Sequence, residues 1–197
     1  MTLVFASNNA HKLDEVRRIL HPIVVASMAE VGCIADIVED GTTLEANSHI
    51  KADFLWRWLV EHDKADAYDG VIADDTGLEI EALGGEPGVY TARWAGEPAC
   101  DSRNRAKALR ELQDNENRNA RFRTVITLIR KDAGEEQMSG IVKGIIGTEE
   151  HGERGFGYDS LFIPDGYDKT FAELPEEVKN SISHRARALQ ILRNKLL

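Results

Sequence analysis

A strand, a polar turn and a helix open the chain and restrict the fold more than any other feature. Residues 3–6 are all apolar, which predicts a short buried strand. Ser7-Asn8-Asn9 follows, and these residue types favour turns and helix N-caps. Apolar residues then recur at helical spacing, at Leu13, Val16 and Leu20. This order of elements is typical of α/β proteins.

The rest of the chain continues the mixture of strands and helices. Further strands are predicted at residues 22–26, 71–73, 78–82, 122–129, 137–146 and 161–163. Further helices are predicted after Thr42, which has capping-box spacing to Glu45, after Asp101, and from about Ser183. Strands and helices alternate early, whereas the middle of the chain is rich in strands. The pattern predicts a three-layer α/β fold with a mixed sheet.

The length of the chain limits the number of domains, and its charge limits the partners that it can bind. A chain of 197 residues suits one domain of ordinary size, or one domain with two lobes. Acidic residues outnumber basic ones by 34 to 24, so the formal charge is −10. Such a chain binds DNA, RNA and anionic membranes poorly, so we expect no nucleic-acid and no membrane partner. An anionic ligand would need local lysines, backbone amides or a metal ion.

Two features favour a cytoplasmic location: the chain lacks targeting patterns, and its two cysteines are isolated. No apolar run approaches the roughly 20 residues of a membrane span, and the first residues lack the pattern of a secretory signal. Cys33 and Cys100 are isolated, without the spacing of metal ligands or of a disulfide framework. We therefore expect reduced thiols in a cytoplasmic protein.

The turn between the first strand and the first helix is the first candidate site. It contains Ser7, Asn8, Asn9, Ala10, His11 and Lys12. Backbone N–H groups at a helix N-terminus, with a lysine one turn further on, can bind an anion. An ordinary capped turn with a solvated lysine has the same pattern, so the sequence leaves both readings open.

Two acidic segments could bind a divalent cation. Glu39 and Asp40 precede the helix that carries Lys51, and such a loop can supply carboxylate ligands or be merely solvated. Asp74-Asp75-Thr76-Gly77 directly follows an apolar strand, where α/β proteins bind ligands. Because neighbouring residues of an extended segment point to opposite sides, we expect one of the two aspartates to face the site, as a magnesium ligand or a general base. A surface turn is the alternative.

A fourth cluster is divided along the chain and suits a nucleotide. Its residues are Phe156, Gly157, Tyr158, Asp159, Lys179, Asn180, Ser183, His184 and Arg185. An aromatic ring can stack on a base, a carboxylate can accept from a ring N–H, and basic side chains can bind phosphate or a base carbonyl. A plain surface pair at a helix start explains His184 and Arg185 equally well.

Together and in order, five segments resemble the inosine triphosphate pyrophosphatase family: SNNAHK, EDGTTLEANSHIKA, IADDTGLEIEALGGEPGVYTAR, GFGYDSLF and KNSISHRARAL. The family hydrolyses non-standard purine nucleoside triphosphates, such as ITP, XTP and their deoxy forms, to the monophosphate and pyrophosphate. The resemblance implies a single domain over residues 1–197. It also implies an elongated mixed central sheet flanked by helices, two lobes with an active-site cleft between them, a homodimer and dependence on Mg2+.

The resemblance also implies roles for individual residues. Glu39 and Asp75 would bind Mg2+, and Asp75 is the proposed proton acceptor, although a metal-bound carboxylate is a poor base. Lys51 would act with Asp75 as a catalytic residue that faces the phosphates. The implied substrate-binding residues are Ser7, Asn8, Asn9, Ala10, His11, Lys12, Thr76, Phe156, Gly157, Tyr158, Asp159, Lys179, His184 and Arg185.

Departures from the family pattern are small. Thr76 stands where serine is usual, Ser48 where alanine is common, and Ser160 where proline is usual, and Val178 interrupts a Glu-Glu-Lys run. None of them removes a charged group proposed for chemistry. Two other functions stay open. One is a septum-formation-inhibitor-like nucleotide pyrophosphatase with another nucleotide preference. The other is a nucleotide-binding module without hydrolysis.

Overall fold

The computed structural model describes all 197 residues. Its strands are β1 Thr2–Phe5, β2 Val24–Ser27, β3 Gly70–Ile80, β4 Pro87–Gly88, β5 Asn119–Arg130, β6 Gly134–Ile146 and β7 Phe162–Pro164. Its α-helices are α1 Ala10–Leu20, α2 Leu44–Glu61, α3 Asp101–Glu111, α4 Glu176–Ile182 and α5 His184–Leu196. Single 3₁₀ turns occupy Ala65–Ala67, Glu81–Leu83 and Thr91–Arg93.

One mixed sheet joins the strands in the order β2-β1-β3-β5-β6-β7, and β4 pairs with β3. β1 runs parallel to both β2 and β3, whereas β4 is antiparallel to β3 and β7 is antiparallel to β6. This arrangement confirms the predicted α/β class and the mixed sheet. None of the helices has the length and apolarity that a membrane crossing requires.

The chain forms two compact units. The first contains Met1–Asp75, Thr124–Gly140 and Arg185–Leu197, and the second contains Thr76–Arg123 and Ile141–His184. The active-site cleft that the sequence analysis expects between two lobes stays a prediction.

Strand alternation builds the three layers of the first unit. On β1, Leu3 and Phe5 are buried in one cluster with Leu20 of α1 and Leu192 of α5. The intervening residue Val4 belongs to the opposite cluster, together with β3 and α2 residues: Val71, Ala73, Leu55 and Leu59. Because side chains alternate between the two faces of a strand, each face of this part of the sheet receives its own helical layer.

The core of the second unit is aromatic. Phe122 of β5 meets Phe162 of β7 edge to face at 4.8 Å, and Phe162 lies 5.2 Å from Phe171. Ala108 and Leu112, at the C-terminal end of α3, complete this buried cluster. Burial of such rings is a large favourable term in folding.

The structure corrects the prediction that Asp74-Asp75-Thr76-Gly77 ends one strand and precedes another. β3 is a single strand from Gly70 to Ile80, and both aspartates are buried in its middle. Four small or polar residues in a row resemble a turn, but cations on neighbouring elements neutralise these carboxylates, so the strand continues. The predicted strand at residues 78–82 is therefore the end of β3, followed by a 3₁₀ turn.

Smaller corrections concern element ends. The hydroxyl of Thr43, not that of Thr42, caps α2 by accepting a hydrogen bond from the Ala46 N–H at 3.1 Å. β2 begins at Val24 and not at Pro22. The short helix α4 was not predicted from the sequence, because it has fewer than three turns and little periodicity.

Gly144 offers a test of the packing between β6 and β7. A Cβ atom at this position would collide with the Ile163 carbonyl oxygen of the neighbouring strand and with the Phe162 ring. We expect Gly144→Ala to lower the free energy of unfolding by about 1–3 kcal/mol, because backbone cannot move aside as a flexible side chain can. Urea denaturation measures this loss. Lys143→Ala, at the exposed neighbouring position, should change it by less than about 0.5 kcal/mol, and equal midpoints for the two variants would contradict the packing argument.

Candidate active site

The turn from β1 into α1 is held by its own polar side chains. Asn9 is the N-cap of α1, and its side-chain Oδ1 accepts from the Lys12 backbone N–H at 3.1 Å. The Ser7 hydroxyl accepts from the Asn9 N–H at 3.2 Å, and the Asn8 amide donates to the Ala35 carbonyl at 3.0 Å. The predicted cap is confirmed, while Ala10 and His11 are exposed beside it. The first backbone N–H groups of α1 thus form a positive end beside Lys12.

Asp74 and Asp75 direct their carboxylates to different helical layers. Asp74 accepts from the Lys12 ammonium at 3.1 Å and from the Arg185 Nε at 3.0 Å. Asp75 accepts from the Asn47 amide at 3.2 Å and contacts the Lys51 ammonium at 3.5 Å. Each carboxylate of the adjacent pair therefore has its own cations or donors, which is what strand alternation requires.

A buried chain of charges continues from Asp74. The Arg185 guanidinium lies between Asp74 and the Glu15 carboxylate, and the side chains of all three residues are less than 10% exposed. Glu15 was missed by the sequence analysis. Its position three residues after Lys12, on the same face of α1, is the signal that could have found it. Arg185 was predicted to bind substrate, and the structure places it in this ion-pair network.

The charges of this network shift each other's pKa values. Burial alone would raise the pKa of Asp74, but Lys12 and Arg185 outweigh burial and hold it far below its usual range. Burial lowers the pKa of Lys12, and the charges of Lys51 and Arg185 add to this effect against the attraction of Asp74. Asp74 therefore favours the charged form of Lys12 against the effect of burial.

Lys51 gathers two carboxylates around one ammonium group. Its side chain is 7% exposed, and its Nζ donates to Glu39 at 2.9 Å and to Asp75 at 3.5 Å. Burial lowers the pKa of Lys51, but Asp75, Asp74 and Glu39 together raise it above its usual value. Burial raises the pKa of Asp75 in spite of the nearby Lys51.

Glu39 and Asp75 fit the ligand set of a magnesium ion. Both carboxylates already converge on one cation, the Lys51 ammonium. Asn47, which the sequence analysis missed, donates to Asp75 and accepts from the Gly41 N–H at 2.8 Å, which holds the loop that carries Glu39. Mg2+ is usually bound by one or two carboxylates together with substrate phosphates. No group of three or more His, Cys, Asp and Glu side chains is arranged around a metal position.

The second unit assembles the predicted aromatic and acidic cluster. The Asp159 carboxylate accepts from the Phe156 N–H at 2.9 Å and from the Lys179 ammonium at 2.7 Å. The same ammonium lies 5.1 Å from the centre of the Phe156 ring. Phe156 and Asp159 line a cavity of about 170 Å³. Arg105 and Arg154 line the same cavity, which therefore presents a ring, two cations and a carboxylate to a small ligand.

Tyr158 and His184 support this cluster from inside the core. The Tyr158 hydroxyl donates to the Thr91 carbonyl at 2.9 Å, and burial together with Asp101 raises the pKa of Tyr158, so the phenol stays neutral. The buried His184 ring stacks on Phe122, with centroids 4.6 Å apart. His184 was predicted to bind substrate, and this stacking places its ring within the aromatic core.

The predicted site residues thus form two groups. The first unit brings together the residues of the α1 turn, Lys12, Glu39, Lys51, Asp75 and Arg185. The second unit contains Phe156, Gly157, Tyr158, Asp159, Lys179 and His184. Thr76 is the first residue of the second unit, and it is half-buried on β3. The roles assigned to individual residues stay predictions.

Known proteins share this sequence over nearly its whole length. The profile of the Ham1 family matches residues 3–195. The dITP/XTP pyrophosphatase of Flavobacterium johnsoniae is 46% identical over 193 residues, which cover 98% of this chain and 96% of the relative. The dITP/XTP pyrophosphatase of Porphyromonas gingivalis is 46% identical over 197 residues, which cover 99% of this chain and 97% of the relative.

Solved structures agree with the sequence comparisons. The Staphylococcus aureus Ham1 protein matches this fold with a TM-score of 0.83 at 38% identity, covering 100% of this chain and 98% of the other. The fold and the site define an α/β protein in which two lysines pair with adjacent aspartates of one strand. The comparisons show that the chain belongs to the Ham1 family. Both relatives are dITP/XTP pyrophosphatases, which confirms the resemblance found in the sequence.

Arg185 tests the buried ion-pair network. Arg185→Met would leave the buried Asp74 and Glu15 carboxylates without their shared cation. We expect the free energy of unfolding to fall by about 3–5 kcal/mol, because an uncompensated buried charge is strongly destabilising. Denaturant titration measures the change. Arg57→Met removes an exposed pair with Asp53 and should cost less than about 1 kcal/mol, so a similar small loss at Arg185 would show that the network contributes little.

Proposed function

We propose that the chain hydrolyses non-standard purine nucleoside triphosphates, among them dITP, ITP and XTP, to the monophosphate and pyrophosphate. This activity would remove them from the nucleotide pool. The observation that carries the proposal is the convergence of Lys12 and Lys51 on the adjacent carboxylates of Asp74 and Asp75. It occurs in a chain that matches dITP/XTP pyrophosphatases over nearly its full length.

The α1 turn suits the triphosphate. Lys12, with the backbone N–H groups at the start of α1, offers positive charge to phosphate oxygens. Lys51 adds a second buried ammonium, whose raised pKa keeps it protonated at neutral pH. Phosphoryl transfer needs mainly positioning and charge neutralisation, which these groups supply.

Glu39 and Asp75 would hold Mg2+, which when bound would neutralise charge on the phosphates. In the proposed reaction, water attacks the α-phosphorus, the α–β anhydride bond breaks, and pyrophosphate leaves. The water proton goes to a carboxylate or to solvent, and the buried Asp75 carboxylate is the proposed acceptor. Because its pKa is raised, Asp75 is a better proton acceptor than an ordinary aspartate. Binding a cation would make Asp75 a weaker base.

The cavity beside Phe156 suits a purine with a keto group. Hypoxanthine and xanthine present an O6 acceptor and an N1–H donor, whereas adenine presents the reverse pattern. In this cavity Phe156 can stack on the base and Asp159 can accept from a ring N–H. Lys179, which donates to Asp159, is the proposed donor to a carbonyl oxygen. A site that hydrogen-bonds one edge rejects the other strongly, because its buried groups would be left unpaired.

A panel of nucleotides tests the proposal against its alternatives. The protein is incubated with Mg2+ and the triphosphates of inosine, xanthosine, guanosine, adenosine, uridine and thymidine, and monophosphate and pyrophosphate are measured. Release from the inosine and xanthosine compounds alone is expected. A preference for pyrimidines would favour the septum-formation-inhibitor-like enzyme, and tight binding without turnover would favour a binding module. A homodimer and a cytoplasmic location are proposed on the resemblance and the residue patterns alone.

Asp75 should be essential for turnover. We expect Asp75→Asn to lower kcat by about a hundredfold or more with a smaller change in KM, because the loss of this charge affects the transition state more than ground-state binding. Steady-state kinetics with XTP measures both parameters. Asp66→Asn, at an exposed ion pair with Lys131, is the control and should leave both unchanged. Turnover close to that of the unmodified protein would refute the role of Asp75.

Glu39 should affect the metal requirement. We expect Glu39→Gln to raise the Mg2+ concentration for half-maximal activity by about tenfold, because an amide is a weaker ligand than a carboxylate. A magnesium titration at saturating substrate measures this change. Glu61→Gln, at the exposed end of α2, is the matched control. Identical magnesium dependence in the two variants would remove Glu39 from the proposed metal site.

A further inference from the structure

Two residues of α3 hold the backbone of a single glycine in the loop formed by residues 155–160. The Gly157 N–H donates to the Asp101 carboxylate at 2.8 Å. The Gly157 carbonyl accepts from the Arg105 Nη1 at 2.9 Å. Asp101 and Arg105 are four residues apart and therefore on one face of the helix. The donor and the acceptor of the same glycine are thus both bound by one helix.

A second connection reaches the end of the same loop. The Arg105 Nε donates to the Glu150 carboxylate at 2.8 Å, and the Ser160 hydroxyl donates to the same carboxylate oxygen at 3.0 Å. This connection depends on the hydroxyl of Ser160, which is the donor.

The loop needs such restraint because of its glycines. Gly155 and Gly157 have φ values of +77° and +62°, in the left-handed region that glycine adopts readily. Glycines also leave the unfolded or released loop with many conformations, so an unrestrained loop would order only at an entropic cost. Between Gly155 and Ser160 lie Phe156 and Asp159, which line the cavity together with Arg105 and Glu150.

We propose that Asp101 and Arg105, with Glu150 and Ser160, are positioning residues that set the shape of the base-binding loop and thereby the discrimination between purines. They act through the backbone N–H and carbonyl of Gly157 and through Ser160, and these two residues flank Tyr158 and Asp159. The inference rests on the proposed function, because it assumes that the cavity beside Phe156 receives the base.

The test compares the ratio of kcat/KM for XTP to that for dGTP across variants of α3. Arg105→Gln and Asp101→Ala should each lower this ratio by about tenfold, mainly by raising KM for XTP, because small displacements of positioned groups have large kinetic effects. Asp101→Asn should keep the ratio within about threefold of the unmodified protein, since its amide oxygen can still accept from the Gly157 N–H.

Thermal unfolding separates positioning from stability. Asp101 is the acidic residue in the first turn of α3, so Asp101→Asn and Asp101→Ala both lose a favourable charge at the helix N-terminus. Both variants should therefore unfold at a lowered temperature, Asp101→Ala somewhat lower because the Gly157 N–H also loses its acceptor, while only Asp101→Ala changes the ratio. Arg110→Gln, which removes an exposed ion pair on the same helix, is the control and should change neither.

An unchanged ratio in both Arg105→Gln and Asp101→Ala, with XTP still hydrolysed, would overturn the inference and leave the proposed function standing. If the unmodified protein hydrolysed no triphosphate, the proposed function would fail first. Calorimetric binding of inosine and adenosine monophosphates would then decide the inference, since the preference between the two should weaken in Asp101→Ala and persist in Asp101→Asn.

Discussion

The burial of two adjacent carboxylates in the middle of one strand is the constraint on which the rest of the first unit depends. Asp74 and Asp75 are 2% and 7% exposed, and burying an ionised carboxylate without partners is prohibitively costly. Their side chains lie on opposite faces of β3, so two separate sets of partners are needed. Lys12 and Arg185 supply one set, and Lys51 with Asn47 supplies the other.

The two sets differ in how completely their charges are neutralised and enclosed within the protein. Arg185 is enclosed between two carboxylates and serves the architecture of the layer formed by α1 and α5. Lys51 lies where Glu39 and Asp75 converge, and Glu39 is 34% exposed. A cation from solvent can therefore reach Glu39 in the second set, whereas Arg185 in the first set is enclosed. Lys12, whose side chain is 17% exposed, is the member of the first set that a phosphate group can reach.

The second unit meets a different requirement, the restraint of a loop rich in glycine. Asp159 organises this loop from within by accepting from the Phe156 N–H and from Lys179. Helix α3 restrains it from outside through Gly157. Any other residue at position 155 would disturb the loop, because its Cβ atom would collide with the Asp159 carboxylate. Local backbone freedom and long-range contacts together shape the cavity.

The sequence alone determined the α/β class, the opening strand and helix, the cap at Asn9 and the family. These depend on local periodicity, capping chemistry and residues in a recognisable order. Only the tertiary structure placed Asp74 within a continuous strand and joined Arg185 to Glu15, which is 170 positions away. It also revealed that α3 holds Gly157, which is 56 positions from Asp101. Such contacts depend on how the elements pack, and no local pattern in the chain encodes which distant charge will neutralise a buried one.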